Sequence, residues 1–203
     1  HPAGEDAAAI SNLFWVMAIG AAIVWLIVMG ITVFAVLSSK RPRTERFADR
    51  FILVGGVAFP TVTLAALLIY GLALLPDWVR ADEPDLRIHV GAEQYWWRIA
   101  YEGPDGARIE SANEIHLPSD STVEFVLTST DVIHSFWIPA LGGKMDVIPG
   151  RTNVWRLKPT EPGIFRGVCA EFCGPSHALM AFAVEVHPPE EFASWLAGEA
   201  APA

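Results

Sequence analysis

The stretch Cys169-Ala-Glu-Phe-Cys-Gly-Pro-Ser-His-Ala-Leu-Met180 brings two thiols, an imidazole and a thioether into twelve residues. Cys169 and Cys173 are the only two cysteines of the chain, and the spacing is C-x3-C-x3-H-x2-M. Thiolate, imidazole and thioether form a soft ligand set, which selects copper among biological metals. Because a thiolate sulfur can bridge two metal ions, the second cysteine makes a dinuclear centre possible. Each copper would then need its own imidazole, so a second histidine must come from outside this loop.

Three other interpretations of the loop are open at this point. Cys169 and Cys173 could form a disulfide in an oxidising compartment. Tetrahedral zinc would accept two cysteines and two histidines, but it has no use for Met180. A C-x3-C pair could also serve thiol redox chemistry in a chaperone. The length and specificity of the twelve-residue pattern favour copper over all three.

The loop resembles the binuclear copper (CuA) loop of subunit II of haem–copper cytochrome c oxidases. In that family both cysteines bridge the two copper ions, and the glutamate between them ligates through its backbone carbonyl. The loop positions that match the family's copper ligands are Cys169, Glu171, Cys173, His177 and Met180. The family's other histidine lies upstream in a D-V-x-H-S-[FW] segment. Asp131-Val-Ile-His-Ser-Phe136 matches that segment, so the resemblance implies His134 as the sixth ligand.

The resemblance implies a second role for Glu171. In the family, the carboxylate of this glutamate also reaches a magnesium or manganese ion at the junction with subunit I, and carboxylate oxygen suits such hard cations. The charged residues that follow the histidine segment, Lys144, Asp146 and Arg151, would lie toward the subunit I surface. The pattern C-x-x-C-H is absent from the sequence, so no covalent haem is expected in this chain.

The aromatic run Gln94-Tyr-Trp-Trp97 lies in a predicted strand. Core packing explains part of such a run, because alternate residues of a strand face inward. The family has a similar run near its copper face, and the first Trp of that run is implicated in electron uptake from cytochrome c. Tyr95 stands at that place here. We therefore take Tyr95, Trp96 and Trp97 as candidates for electron uptake, with Trp96 expected to face the opposite way.

Two uncharged runs, Ala7 to Ser39 and Phe51 to Pro76, occupy the first part of the chain. A helix that spans a bilayer needs about 20 apolar residues. We therefore predict a hairpin of membrane spans at about 13–37 and 51–75, with Pro60 kinking the second. Lys and Arg outnumber Asp and Glu between the spans, which places the connecting loop in the cytoplasm. Both termini would then face the periplasm of a bacterial inner membrane.

From residue 79 the composition changes, with Pro, Gly and charged residues throughout. Strand-like runs recur between turn signals such as Pro104-Asp-Gly106. The predicted strands cover 86–90, 95–101, 113–117, 122–128, 136–138, 153–157, 164–168 and 181–186. One helix is predicted at 188–196, with Pro and Glu at its start and Gly198 after its end.

Many short strands without helices between them predict a sandwich or barrel. We therefore predict a mainly β fold: a transmembrane helical hairpin in residues 1–78, then a cupredoxin-like Greek-key domain in residues 79–203. The copper ligands would fall in loops that converge at one end of this domain. His89, His116 and His187 have no partner motif and are expected to be surface or strand histidines rather than ligands.

The charge of the outer domain is strongly negative. From Asp77 onward, 19 acidic residues stand against 9 basic ones, and the net charge of the chain is −9. This sign excludes nucleic acid as a partner. Solubility alone is one explanation of the excess. The functional explanation is an acidic face that steers a basic protein.

As a member of this family, the chain would accept electrons from cytochrome c at two copper ions and pass them to haem in subunit I. Oxygen would be reduced to water there, coupled to proton pumping, and further membrane subunits are expected as partners. Two alternatives are a copper-free quinol oxidase subunit II and a membrane-anchored copper chaperone or thiol reductase. The intact ligand set argues against the first, and His134 and Met180 argue against the second.

Overall fold

The computed structural model describes residues 1–38, 45–74, 83–102 and 108–199. The predicted fold class is confirmed, because apolar helices precede a mainly β domain. The helical part comprises α1 (Glu5–Leu37), α2 (Glu45–Phe51), a π-helical segment (Ile52–Ala58) and α3 (Phe59–Ala73). The later elements are β1 (Leu86–Glu93), β2 (Trp96–Glu102), β3 (Arg108–Ala112), β4 (Glu114–Pro118), β5 (Val123–Ser129), β6 (His134–Trp137), β7 (Lys144–Val147), β8 (Asn153–Leu157), β9 (Gly163–Cys169), β10 (Ala181–His187) and α4 (Pro189–Glu199). The turn predicted at 104–106 and most of the loop between the spans lie outside the described residues.

Two continuous helices, α1 and the run from α2 to α3, are 33 and 29 residues long. By length and composition, both are able to cross a membrane. They contain the predicted span 13–37 and cover the predicted span 51–75 as far as Ala73. No side chain between Glu45 and Ala73 is buried within the chain. An apolar surface of this extent needs lipid or an apolar partner to cover it.

The second of these helices changes its hydrogen-bond pattern directly before Pro60. The N–H of Phe59 donates to the carbonyl of Val54, five residues earlier, as in a π-helix. Pro60 lacks a backbone N–H and so donates no bond to the preceding turn. The π-helical turn therefore lies where Pro60 interrupts the regular pattern of helical hydrogen bonds. The kink predicted at Pro60 stays a prediction.

The β domain consists of two five-stranded sheets, ordered β3-β2-β1-β5-β8 and β4-β10-β9-β6-β7. The pairs β1–β5 and β4–β10 are parallel, and the other neighbouring strands are antiparallel. Strand residues alternate between buried and more exposed positions, as in β1 and β10. The inward side chains of both sheets form one apolar core, which also includes both cysteines and Met180.

An aromatic layer of four buried rings joins the two sheets. Trp97 and Phe125 come from the first sheet, and Phe136 and Phe182 come from the second. The Trp97 ring lies 5.6 Å from that of Phe136 and 5.4 Å from that of Phe182, in edge-to-face contacts. Phe136 is 5.0 Å from both Phe125 and Phe182. Large rings in these arrangements contribute strongly to core stability.

The two strands β3 and β7 are absent from the predicted set. Both lie at the edge of a sheet and pair with one neighbour only. Edge strands need no continuous apolar face, and both sequences mix charged and apolar residues, so the periodic signal is weak.

Several element boundaries also differ from the prediction. The candidate ligands His134 and Cys169, predicted in loops, are the first residue of β6 and the last residue of β9, because backbone pairing extends to both. Gln94 and Tyr95 were predicted within a strand, but Glu93 pairs with Trp96, which leaves them as a two-residue hairpin turn. The last helix continues through Gly198 to Glu199 instead of ending before the glycine. A glycine near a helix end carries only a modest cost, so it does not always stop the helix.

The first residues of the chain contact the β domain, which the sequence did not indicate. The N–H of Ala3 donates to the carbonyl of Ala140 (2.7 Å), and the N–H of Thr160 donates to the carbonyl of Ala3 (2.8 Å). Contacts accordingly group His1–Ser11 with Val79–Ala203, and Asn12–Trp78 form a second unit. The functional division at residue 78 stays a prediction.

The close approach of Phe182 to Gly167 gives a test of the core. These residues are opposite each other on β10 and β9, and a Cβ on Gly167 would lie 2.0 Å from the Phe182 ring. We expect Gly167→Ala to lower the free energy of unfolding by about 1–3 kcal/mol, because the ring must leave its packed position. Thermal unfolding of the full chain in detergent measures this. Gly91→Ala is the control, since its Cβ would make ordinary contact with Arg98 at 3.6 Å. Equal stability of the two variants would contradict the packing described.

Candidate metal centre

Two segments on the second sheet carry the predicted copper ligands. His134 begins β6 and Cys169 ends β9, and these strands pair with Phe136 opposite Cys169. The chain that leaves β9 therefore passes beside His134. It continues to a short 3-10 helix (His177–Leu179) and to Met180. The N–H of Cys169 donates to the carbonyl of Met180 at 2.9 Å, which closes the loop at its base.

The side-chain donor atoms of the predicted ligands converge. The Sγ atoms of Cys169 and Cys173 are 3.9 Å apart. Cys169 Sγ lies 3.8 Å from Nδ1 of His134. Cys173 Sγ lies 3.5 Å from Nδ1 of His177 and 3.7 Å from Sδ of Met180. Each sulfur thus has an imidazole of its own beside it, as two metal ions bridged by two thiolates require.

The backbone carbonyl of Glu171 adds an oxygen donor, 3.2 Å from Cys169 Sγ. His134, Met180 and both cysteines are buried, with 0%, 1%, 6% and 4% of their surface exposed. A compact set of two sulfurs, two imidazoles, a thioether and a carbonyl fits copper. Six donors are more than one tetrahedral zinc ion needs. The residues present therefore fit the binuclear copper group that the sequence predicts.

Both cysteines are free thiols in the structure. Burial, together with the neighbouring Cys169, raises the pKa of the Cys173 thiol to about 11. The metal-free site therefore holds a protonated thiol at neutral pH. Copper must displace that proton, because the thiolate is the metal ligand.

A hydrogen-bonded carboxylate, Asp131, holds His134 in place. Its Oδ1 accepts from Nε2 of His134 at 2.8 Å, which leaves Nδ1 free to face Cys169. Its Oδ2 accepts from the backbone N–H of Gln94 at 2.6 Å. Burial opposes ionisation of Asp131, but the hydrogen bonds from His134, Gln94 and Val132 outweigh it and lower its pKa to about 2.

Gln94 reaches the cysteine loop as well as the histidine segment. Its side-chain amide donates to the carbonyl of Cys173 at 2.5 Å, while its backbone N–H donates to Asp131. One hairpin turn therefore ties together the two segments that supply the metal ligands. Sequence reasoning singled out the aromatic neighbours of Gln94 and not Gln94 itself. Its role depends on a contact between residues 79 positions apart.

The three aromatic candidates for electron uptake have different surroundings. Trp97 is fully buried, and its ring lies 6.1 Å from that of His134 in an edge-to-face contact. Tyr95 lies against Gly174 of the cysteine loop, where an added Cβ would be 2.5 Å from the hydroxyl. Trp96 stacks under the guanidinium of Arg98 at 4.9 Å. The structure thus brings Tyr95 and Trp97 to the centre, while no described contact joins Trp96 to it.

The side chain of Glu171 points to a different environment from its carbonyl. Its Oε2 lies 3.9 Å from Nζ of Lys144, which also lies 2.9 Å from Oδ1 of Asp146. Hydrogen bonds from Lys144 and Ser135 lower the pKa of the Asp146 carboxyl. Glu171 and Asp146 line one open depression beside Cys173. Two carboxylates are thus available there, and the predicted magnesium or manganese site stays a prediction.

Two apolar side chains of the cysteine loop are strongly exposed. Phe172, between the two cysteines, is 76% exposed, and Leu179, next to Met180, is 80% exposed. Ile133 beside His134 is 46% exposed. The surface directly over the centre is therefore apolar, and the nearest carboxylates are already hydrogen-bonded or ion-paired.

The three histidines that have no partner motif in the sequence divide into two groups. His89 pairs with Glu102 at 2.9 Å on an exposed face. His116 and His187 lie 2.8 Å apart, so each is the partner of the other. This pairing arises from the parallel register of β4 and β10, which the sequence does not reveal for residues 71 positions apart.

The fold and the donor set together define a cupredoxin-like domain with a soft-metal centre. A family model described as cytochrome c oxidase subunit II, periplasmic domain, matches residues 98–187. The crystal structure of the periplasmic domain of subunit II (CoxB) of Bradyrhizobium japonicum is similar, with a TM-score of 0.54 and 35% identity over 58% of this chain and 95% of that one. A mixed-disulfide intermediate between the thioredoxin-like TlpAs and a subunit II domain gives a TM-score of 0.53 and 34% identity, over 60% and 95%.

Curated relatives extend the similarity beyond this domain. Cytochrome c oxidase subunit 2 of Branchiostoma floridae is 31% identical over 176 residues, which are 75% of this chain and 76% of that protein. The probable subunit 2 of Rickettsia bellii is 30% identical over 196 residues, or 86% and 73%. The relative from Alkalihalophilus pseudofirmus is 44% identical over 145 residues, and the chain spans only 41% of its length. The chain spans 64% of the length of the Rickettsia prowazekii relative. The chain belongs to the cytochrome c oxidase subunit II family, and with its two apolar helices it is membrane-anchored.

The contacts of Asp131 yield a prediction for metal retention. In Asp131→Asn, the amide nitrogen must face either His134 or a backbone N–H group, so one of the present hydrogen bonds is lost. We expect copper affinity to fall about 10–100-fold, as for other residues that orient a metal-bound histidine. Competition with a copper chelator measures this. Asp85→Asn is the control, since Asp85 accepts from the N–H of Thr122 (2.7 Å) away from the centre. Unchanged copper retention in Asp131→Asn would show that Asp131 does not position His134.

Proposed function

We propose that this chain is the electron-accepting subunit of a cytochrome c oxidase. The observation that carries the proposal is the convergence of six donor groups from two separate segments, with His134, both cysteines and Met180 buried. Residues His134, Cys169, Glu171, Cys173, His177 and Met180 would hold two copper ions, with the cysteines as bridges and the Glu171 carbonyl as a backbone ligand. The bound centre would supply one-electron chemistry between cytochrome c and haem in subunit I, where oxygen is reduced to water with proton pumping.

The protein's own contribution is to hold this cluster in a fixed arrangement. His134 contacts the Asp131 carboxylate and the Trp97 ring. The cysteine loop is closed at its base by the hydrogen bond between Cys169 and Met180. Ligands held in place by such contacts have little to rearrange when the charge of the centre changes. Small rearrangement favours fast electron transfer.

The family relationship and the apolar helices support the proposed location. The chain would be anchored in a bacterial inner membrane, with its termini and copper domain on the periplasmic side. Backbone hydrogen bonds of Ala3 to the β domain are consistent with a shared side for both. Subunit I and further membrane subunits would cover the apolar helix surfaces.

Two features beside the centre suit two different partners. Phe172, Ile133, Glu171 and Asp146 line one depression, which suits the contact with subunit I and a magnesium or manganese ion held by the Glu171 carboxylate. The hairpin turn with Tyr95 contacts the loop at Gly174, which also lines this depression. We assign this turn to the donor side, with Tyr95 as the contact for cytochrome c and Trp97 as the buried ring next to His134.

The two alternative functions differ from the proposal in how much copper they need. A quinol oxidase subunit II would bind none, and a copper chaperone or thiol reductase would bind one ion or none. The separate imidazole beside each sulfur supports two ions. Two copper ions per chain therefore distinguish the proposed function from both alternatives.

The bridged arrangement leads to a spectroscopic prediction. Full-length protein loaded with copper should hold two ions per chain and show a seven-line hyperfine pattern in electron paramagnetic resonance. Two thiolates shared between the ions would spread one unpaired electron over both nuclei. Cys169→Ser and Cys173→Ser should each abolish that pattern, because oxygen is a poorer bridge. A four-line pattern in the unaltered protein would mean a mononuclear site and would refute the assignment.

The negative charge of the outer domain leads to a kinetic prediction. If a basic cytochrome c docks at this domain, its second-order rate of electron transfer should fall as salt is raised, since exposed charges are screened over about 8 Å at physiological ionic strength. Tyr95→Ala should slow electron transfer even at saturating donor, because Tyr95 lies against the cysteine loop. Stopped-flow mixing with reduced cytochrome c measures both effects.

The matched control is Tyr70→Ala, which removes a tyrosine in α3, outside the outer domain. Rates that stay flat or rise with salt would refute acidic docking. They would indicate a donor held by apolar contact, consistent with the exposed Phe172 and Leu179.

A further inference from the structure

A second cluster of metal-ligating side chains lies far from the copper centre. His116 on β4 and Glu185 on β10 are opposite each other in the parallel ladder, and His187 follows Glu185 on the same face of the strand. His187 is seven positions beyond Met180. At about 3.3 Å per strand residue, this is roughly 20 Å from the copper ligands. The cluster is therefore a separate site.

The two imidazoles face each other through their ring nitrogens. Nδ1 of His116 lies 2.8 Å from Nε2 of His187, and the ring planes differ by only 11°. Oε2 of Glu185 lies 3.9 Å from Nδ1 of His116, and Oε1 lies 3.9 Å from Nδ1 of His187, the ring nitrogen that does not face His116. One ligand atom from each residue lies within 4.8 Å of the other two. The three side chains are thus close enough to share one ion.

Other contacts hold His116 in a ligating orientation. Its Nε2 pairs with Oε1 of Glu114 at 3.0 Å, which keeps the proton on Nε2 and leaves the lone pair of Nδ1 directed at His187. The indole of Trp195 from α4 stacks on the same ring at 4.1 Å. His116 is only 7% exposed, so its ring cannot turn away. A carboxylate behind a metal-facing histidine is the usual support of a histidine ligand.

We propose that His116, Glu185 and His187 form a zinc-binding site, with Glu114 positioning His116. Two neutral imidazoles and one carboxylate are a ligand set that zinc accepts, with a water in the fourth position. Tetrahedral ligands at about 2.0–2.2 Å from zinc stand about 3.3–3.5 Å apart. The two nitrogens must therefore separate by about 0.5 Å, and the Glu185 carboxylate must move about 0.5 Å closer to Nδ1 of His116. The proton that His187 Nε2 donates to His116 must move to Nδ1 of His187, so that both facing nitrogens offer a lone pair. Glu185 and His187 are only half-buried, so both have room to make these shifts.

Zinc at this position would connect three parts of the domain. His116 belongs to β4, Glu185 and His187 belong to β10, and Pro189 begins α4 two residues later. The pair β4–β10 forms the edge of the second sheet. A metal ion that binds only the folded domain stabilises that domain. Zinc at this site would therefore stabilise the β4–β10 edge and the start of α4.

The test is zinc titration of full-length protein whose copper centre has been filled, so that the sulfur ligands are occupied. We expect one zinc per chain that survives gel filtration, and a melting temperature that rises with zinc. X-ray absorption at the zinc edge should show nitrogen and oxygen neighbours only. His187→Gln should weaken zinc binding at least about 100-fold, and Glu114→Gln about 10-fold. His89→Gln is the matched control, since His89 has a carboxylate partner but no second imidazole beside it among the described residues.

Several results would overturn the proposal. These are the absence of zinc beyond the copper centre, sulfur neighbours at the zinc edge, and unchanged binding in His187→Gln. Equal loss in His89→Gln would also overturn it. Circular dichroism and the copper spectrum of each variant show whether the fold is intact. Should the protein take up no copper, the same titration in Cys169→Ser/Cys173→Ser decides the zinc site independently of the proposed function.

Discussion

The contact between the two sheets through the aromatic layer fixes where the metal ligands can meet. Phe136 follows His134 by two residues on β6, and Phe182 follows Met180 by two residues on β10. Their rings stack 5.0 Å apart, and Trp97 lies edge-on against both. Any shift of these rings would move the ends of both strands. The close-packed core therefore sets the separation of the histidine segment from the cysteine loop.

In addition to the packing of the aromatic rings, hydrogen bonds to the Asp131 carboxylate constrain the position of the histidine segment. It accepts from His134 and from Gln94, and Gln94 in turn donates to Cys173. Hydrogen bonds and packing within the protein thus position the histidine segment and the cysteine loop relative to each other. Metal binding also requires removal of the Cys173 thiol proton, which the raised pKa of that thiol opposes.

Local patterns in the sequence predicted the fold class and singled out the side chains that the structure brings together at the candidate metal centre, because these features depend on short-range spacing. The twelve-residue loop and the segment around His134 carry their chemistry in consecutive residues. The contact of Gln94 with Cys173, the pairing of His116 with His187 and the attachment of Ala3 to Ala140 could not be predicted in this way. Each depends on strand order and register between distant residues. The edge strands β3 and β7 were not predicted, because a strand that pairs with one neighbour only need not present an apolar face.

The cysteine loop begins and ends at a hydrogen-bonded pair. Cys169 donates to Met180, and regular pairing of β9 with β10 starts at the next residues, Val168 and Ala181. The ladder is thus complete without any of the residues from 170 to 179. A different loop could therefore replace residues 170–179 while β9 and β10 keep their pairing. A loop with a different set of metal ligands, or with none, could join the same two strand ends, because the hydrogen bond between Cys169 and Met180 involves only backbone atoms.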